Sequence, residues 1–121
     1  MTEKTIERVY SALDDFRIEL PSWGFGDTGT RYGKFLQDGA AIDLADKLSD
    51  AGEVHRVTGS CPKVATHVLW DFGEGKTPSD IVALANENGM QLGSINPNLF
   101  QDQEYRLGSL CNVDPAIRET A

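Results

Sequence analysis

The chain reads as an α/β domain built on a parallel sheet. Three observations carry that reading. Three short segments have strand character, helical stripes precede and separate them, and Gly or Pro marks most changes of period. Strands that alternate with helices pair in parallel through right-handed crossovers. At 121 residues there is room for one domain, residues 1–121, and not for two conventional ones.

The elements follow in order. In TIERVYSALDDF, Ile6, Val9, Tyr10 and Leu13 fall at helical spacing and Phe16 closes the stripe, which predicts an amphipathic helix with one buried face. In RIELPSW, Ile18 and Leu20 alternate with charged residues, and Pro21 ends a short strand. The polar stretch from Gly24 to Gly39 reads as a long loop, of the kind that serves as a lid or contact surface. A second helix is expected next, with Ala41, Leu44, Ala45, Leu48, Ala51 and Val54 on one face and Gly59 as its stop. KVATHVLWDF is the second strand, given β character by Val64, Thr66, Val68 and Leu69. After the turn GEGKTP, Thr77 caps a helix that has Pro78 at its first position and Asp80 in its first turn. That helix carries Ile81, Leu84 and Ala85 and closes at Gly89. MQLGSIN is the third strand. A loop follows, and Asp114 with Pro115 opens a last helix.

Composition narrows the function. The formal net charge is −8 with no cluster of Lys and Arg, which argues against nucleic acid as a partner. No apolar run approaches the roughly 20 residues that cross a bilayer, so no membrane role is expected, and MTEKTIERVY lacks the pattern of a secretory signal. Cys61 and Cys111 have neither metal-ligand spacing nor the density of a disulfide scaffold, so a cytoplasmic protein with reduced thiols is expected. Gly24, Gly26 and Gly29 spell G-x-G-x-x-G, the dinucleotide signature. No sustained helical stripe follows Gly29, and Asp43, Asp46 and Asp50 lie on a helix instead of at a strand end, so the match is read as coincidence. The aromatic residues Trp23, Phe25, Tyr32 and Phe35 on that loop point instead to a covered ligand or a neighbour.

Ligands of α/β folds bind at the C-terminal ends of parallel strands. The first strand delivers Trp23 there; the second delivers His67, Trp70 and Asp71; the third delivers Asn96, Asn98 and Phe100. Aromatic faces with amides, an imidazole and a carboxylate suit a sugar, whose C–H faces stack while its hydroxyls hydrogen-bond. His67 is placed to donate or accept a proton, though from spacing alone a satisfied core histidine is the favoured reading. His55 reads as a solvated or dipole-facing residue late in its helix. Asp71 is expected to pair with Lys76 or cap the turn unless it faces substrate, and Asp102 and Glu104 read as solvated charges. No set of residues has metal-ligand spacing, and no Ser or Cys has a base at a known spacing.

Taken in order, ELPSWGFGDTGTRYGKF, HVLWD and INPNLFQDQEYRLGSLCNVDPAIR resemble the N-terminal part of the bacterial L-rhamnose isomerase group, among the xylose-isomerase-like (β/α)8 barrels. The resemblance begins near Arg17 and runs to the chain end, and its PSWG…GTR and H-x-x-W-D elements are the specific ones. It implies a partial (β/α)8 TIM barrel, its first three β/α units preceded by a helix. It implies an enzyme that moves hydrogen between C1 and C2 of an open-chain aldose or ketose, with two divalent metals, often manganese, held by residues of later strands. His67 matches the family histidine that touches the sugar near its ring oxygen. Trp23 and Trp70 match pocket walls, and Asp71, Asn98 and Phe100 are taken with them as substrate-pocket residues. Tyr32 falls where the family has an aromatic reaching a neighbouring subunit, which implies a homo-oligomer for the full-length enzyme.

The departure is length. A barrel of this kind needs about 250 residues, so the family's metal ligands fall beyond Ala121. The expectation is therefore a fragment or truncated frame, inactive alone, that supplies substrate contacts. The competing expectations are a non-catalytic remnant or sugar-binding module and, more distantly, a nucleotide-binding domain.

Overall fold

Three parallel strands, β1 (Glu19–Pro21), β2 (Lys63–His67) and β3 (Gln91–Asn96), lie side by side in that order. The computed structural model describes residues 2–27, 36–73 and 75–121, so Gly29, Arg31, Tyr32, Gly33 and Phe35 lie outside the described residues. Helix α1 (Glu3–Asp14) precedes the sheet. Helix α2 (Leu44–Thr58) connects β1 to β2, and a single turn, α3 (Val68–Asp71), followed by α4 (Pro78–Glu87) connects β2 to β3. A 3-10 turn, Gln103–Tyr105, and α5 (Pro115–Thr120) follow. Among the described residues the sheet is open, with β1 and β3 as its edges.

The core lies between the helices and one face of the sheet. Leu44, Leu48 and Ala51 of α2 meet Val64 of β2, Ile81 and Ala85 of α4, and Met90, with Leu20 and Leu92 packed against them. Close approach of α2 and α4 needs Gly52, where a Cβ would sit 2.4 Å from the Asn88 carbonyl oxygen. The helix ends follow their residues. Thr77 and Asp80 form a reciprocal capping box with Pro78 in the first turn, and Asp114 caps α5. Gly59 ends α2 in the left-handed region at φ 68°, its N–H donating to the His55 carbonyl at 2.7 Å.

Four expectations need correction. Helix α1 forms but has no buried residue; its stripe runs from Ile6 at 41% exposed to Phe16 at 69%. Periodicity specifies an apolar face and says nothing of what covers it. In α2, Ala41 lies before the helix, its N–H bonded to the Phe25 carbonyl at 2.9 Å, and Ala45 faces out. The buried row is Leu44, Lys47, Leu48 and Ala51, so a lysine takes a place that an apolar reading gives to alanine. The second strand stops at His67, and Val68, Leu69 and Trp70 turn helical. Their β propensity yields to a hydrogen-bonded turn in which the Asp71 carboxylate reaches back to the His67 N–H. Finally, Asp71 pairs with Lys47 and not with Lys76.

Strand β3 carries one more residue than β2 between the pairs Val64↔Leu92 and Thr66↔Ile95. The irregularity is braced from across the sheet: the Glu19 carboxylate of β1 accepts the Ser94 N–H at 2.9 Å. Gly93 makes room, because a Cβ there would lie 2.4 Å from the Glu19 carboxyl. The Ser94 hydrogen bonds hold the Glu19 carboxyl below its ordinary range.

Gly24 closes a 3-10 turn (Ser22–Gly24) and Gly26 bridges to Ala41, so neither starts a helix of the kind a dinucleotide needs. Both cysteines are free thiols, Cys61 buried and Cys111 exposed. Among the described residues no helix is long and apolar enough to cross a membrane.

Candidate functional site

The C-terminal ends of the strands gather four rings. Trp23 sits in the 3-10 turn just after β1, His67 is the last residue of β2, Trp70 lies in the α3 turn, and Phe100 follows β3. The His67 and Trp70 rings stack, with centroids 3.8 Å apart and planes 16° from parallel. Trp23 stands edge-on to both, at 6.2 Å from His67 and 6.3 Å from Trp70. Phe100 meets His67 edge-on at 6.0 Å. Edge-on and offset arrangements are the favourable ones for such rings, so the wall is held by its own contacts as well as by the backbone.

The imidazole is deep in this wall. His67 is 2% exposed, whereas Trp70 at 39% and Phe100 at 61% form a rim. Its Nδ1 accepts the Leu69 N–H at 3.3 Å, which requires that nitrogen to be unprotonated and puts the ring proton on Nε2. Nε2 is buried and has no hydrogen-bond partner among the described residues. A buried donor without a partner costs free energy that a ligand oxygen would recover.

Behind the wall lies a charged cluster. Asp71, 2% exposed, accepts from the Ser22 hydroxyl at 2.5 Å and the His67 N–H at 2.7 Å through Oδ2, and from Lys47 Nζ at 2.9 Å through Oδ1. Lys47 is 5% exposed and Ser22 is fully buried. Mutual neutralisation and full hydrogen bonding make a buried pair tolerable, and here both conditions hold for the carboxylate. Beside the wall a cavity of about 490 Å³ opens between Gly26, Asp27, Ile42, Lys47 and Trp70.

The structure thus brings Trp23, His67, Trp70 and Phe100 together and places Asp71 under them, its oxygens turned inward to three donors. Asn96 pairs with His67 in the β2–β3 register and is half-buried. Asn98 is also half-buried, with Oδ1 buried and without a partner among the described residues. Tyr32 lies outside the described residues. His55 is half-buried in the last turn of α2, while Asp102 and Glu104 are exposed. Sequence reasoning missed Ser22 and Lys47. The signal for Lys47 was its place in the inward row of α2, because a lysine facing a core demands a buried carboxylate.

A metal does not fit here. Among the described residues no three His, Cys, Asp or Glu side chains come together, and the Asp71 carboxylate is already taken by Lys47, Ser22 and the His67 N–H.

No protein family's sequence profile matches the chain. It is similar to a probable sugar isomerase of Mesorhizobium japonicum, 30% identical over 121 residues, covering 96% of this chain and 27% of that protein. It is also similar to a probable sugar isomerase of Rhizobium meliloti, 32% identical over 124 residues, covering 96% of this chain and 28% of that protein. The chain therefore spans little more than a quarter of the length of these curated relatives. Their names specify the reaction class and neither the sugar nor a metal.

Proposed function

We propose that the chain is the N-terminal portion of a cytoplasmic aldose–ketose isomerase of the L-rhamnose isomerase type, a (β/α)8 barrel, and supplies one wall of its sugar pocket. The observation that carries this is the buried His67 Nε2–H, without a partner among the described residues and set among four aromatic rings, in a chain similar to probable sugar isomerases. The parallel sheet in the order β1-β2-β3 agrees with the first three units of such a barrel.

In this reading Trp70 and Trp23 present faces and edges to the C–H side of the sugar and exclude water from it. His67 Nε2 donates a hydrogen bond to the sugar ring oxygen and keeps its proton. As the bond from C1 to the ring oxygen breaks, the anomeric hydroxyl gives its proton to solvent and the ring oxygen takes one from solvent, while the imidazole N–H stabilises the charge developing on that oxygen. The Leu69 N–H holds Nδ1 and so keeps Nε2 turned toward that oxygen. Asn98 offers a carbonyl oxygen to a hydroxyl and Phe100 closes the rim. A divalent metal, manganese by the resemblance, would polarise the substrate oxygens from ligands that these residues do not include. Asp71 stands as a support behind the pocket, and Tyr32 as a contact to a neighbouring subunit of a homo-oligomer.

The test uses the 121-residue protein. Titration with L-rhamnose, followed by the NMR signals of the His67 imidazole, should shift those signals in the wild type, and His67→Ala should weaken binding about tenfold, the loss of one buried hydrogen bond. Absence of any shift at high sugar concentration ends the pocket reading. With added manganese the same protein should not isomerise L-rhamnose, and measurable turnover would contradict the claim that the pocket is completed elsewhere. A sugar-binding module without chemistry shares this wall, and it is favoured if a longer protein carrying these residues binds sugar but turns none over.

A further inference from the structure

We propose that Asp71 is the positioning residue of the aromatic wall, its carboxylate group setting three chain segments at fixed distances from one another. The role as a support for sugar rests on the function just proposed; the mechanical role does not. Two of its three contacts touch the chain at or next to a ring, and the third is Lys47 of α2. Ser22, which donates to Oδ2, precedes Trp23; the His67 N–H belongs to the backbone of the stacked imidazole; and Asp71 itself follows Trp70. Three of the four rings therefore hang within one residue of a single carboxyl group. The segments come from the 3-10 turn after β1, the end of β2 and the α3 turn, and Ser22 is 49 positions from Asp71 in sequence.

A bland account would make this a buried ion pair that stabilises the fold. Energetics argue otherwise. Replacing both members of a buried pair with apolar side chains of similar size is often neutral or stabilising. Stability alone therefore does not explain a carboxylate at this place. What leucine cannot supply is acceptance of three directed hydrogen bonds, two on Oδ2 and one on Oδ1. Lys47 plays the complementary part and pairs with the buried carboxylate from the side of α2. Phe100 and the Nδ1 contact to Leu69 lie outside this set of tethers.

The experiment separates positioning from stability in the 121-residue chain. In the double variant Lys47→Met, Asp71→Leu, chemical denaturation should show a folded protein, while the ring-current displacement of the His67 imidazole signals by Trp70 falls by at least about half. Sugar affinity should fall with it, about tenfold. Wild-type imidazole signals in the folded double variant would overturn the proposal. Ser22→Ala gives an independent reading that does not depend on the double variant folding. It removes one tether and leaves the ion pair, so the cross-peaks between Trp23 and His67 should be lost while the His67–Trp70 stacking shift is kept. Retained Trp23–His67 cross-peaks would also overturn it. A wild-type chain with its ring contacts intact that binds no sugar would end the functional reading and leave this one standing.

Discussion

Glu19 sits on β1, yet its carboxylate bonds to the Ser94 N–H of β3, and the absence of a side chain at Gly93 lets it through. The consequence is measurable. Gly93→Ala puts a Cβ 2.4 Å from the carboxyl, so Glu19 must swing away and release Ser94, with an expected loss of about 1 kcal/mol of stability, one hydrogen bond's worth. The pH dependence has a definite sign. Hydrogen bonds from Ser94 lower the Glu19 pKa in the folded state, so its contribution is present above the unfolded carboxylate range and fades as pH drops through the lowered folded value. Denaturation midpoints from neutral to acid pH should converge between wild type and Glu19→Gln as the medium becomes acidic; a constant gap refutes the link. Neither this brace nor the Lys47–Asp71 pair is visible in sequence, since Glu19 and Ser94 are 75 positions apart. Trp23, His67, Trp70 and Phe100 were legible because strand-end position and residue type coincide in each. Asp71 was legible in location only, since its carboxylate is taken by Lys47, Ser22 and the His67 N–H.

Helix α4 shows how local chemistry sets an element. The Thr77 hydroxyl accepts the Asp80 N–H at 3.3 Å, and Asp80 accepts the Thr77 N–H at 2.8 Å, so two donors at the helix start are satisfied reciprocally. Thr77→Ala should lower stability by about 1 kcal/mol in thermal or urea unfolding, and an unchanged midpoint would show the box to be idle. These caps needed no tertiary information, and the same holds for Gly59 at the end of α2 and Asp114 before α5. The end of β2 was different. Val68, Leu69 and Trp70 carry strand propensity, yet their conformation is set by His67 and Asp71 closing a turn around them. Helix α1 was legible as a helix and not as an exposed one, because its stripe is specified by spacing whereas its covering depends on what packs there.

The described residues form a half-covered sheet and not a closed one. Two strand edges are open, Ile95 of β3 is 57% exposed, and α1 presents its whole apolar stripe to solvent. Stability therefore rests on the contacts among α2, β2, α4 and Met90. Removal of residues 2–16 should change the unfolding free energy by less than about 0.5 kcal/mol, the range of substitutions away from a core, because none of the α1 residues is buried. A loss several times larger in urea denaturation would mean that α1 packs on the sheet in solution. Large exposed apolar surfaces mark interaction sites, and among the described residues α1 carries such a surface.

By itself the sequence determined the order of strands and helices, the caps that end them, and the four rings at the strand ends. Those are consequences of period and of residues acting on their near neighbours, which physics confines to a few positions along the chain. Only the tertiary structure decided that Lys47 meets Asp71, that Asp71 serves three donors, and that His67 Nε2 is left without a partner among the described residues. Each of those depends on groups distant in sequence and adjacent in space, where burial makes a missing partner costly and so selects the arrangement that supplies it.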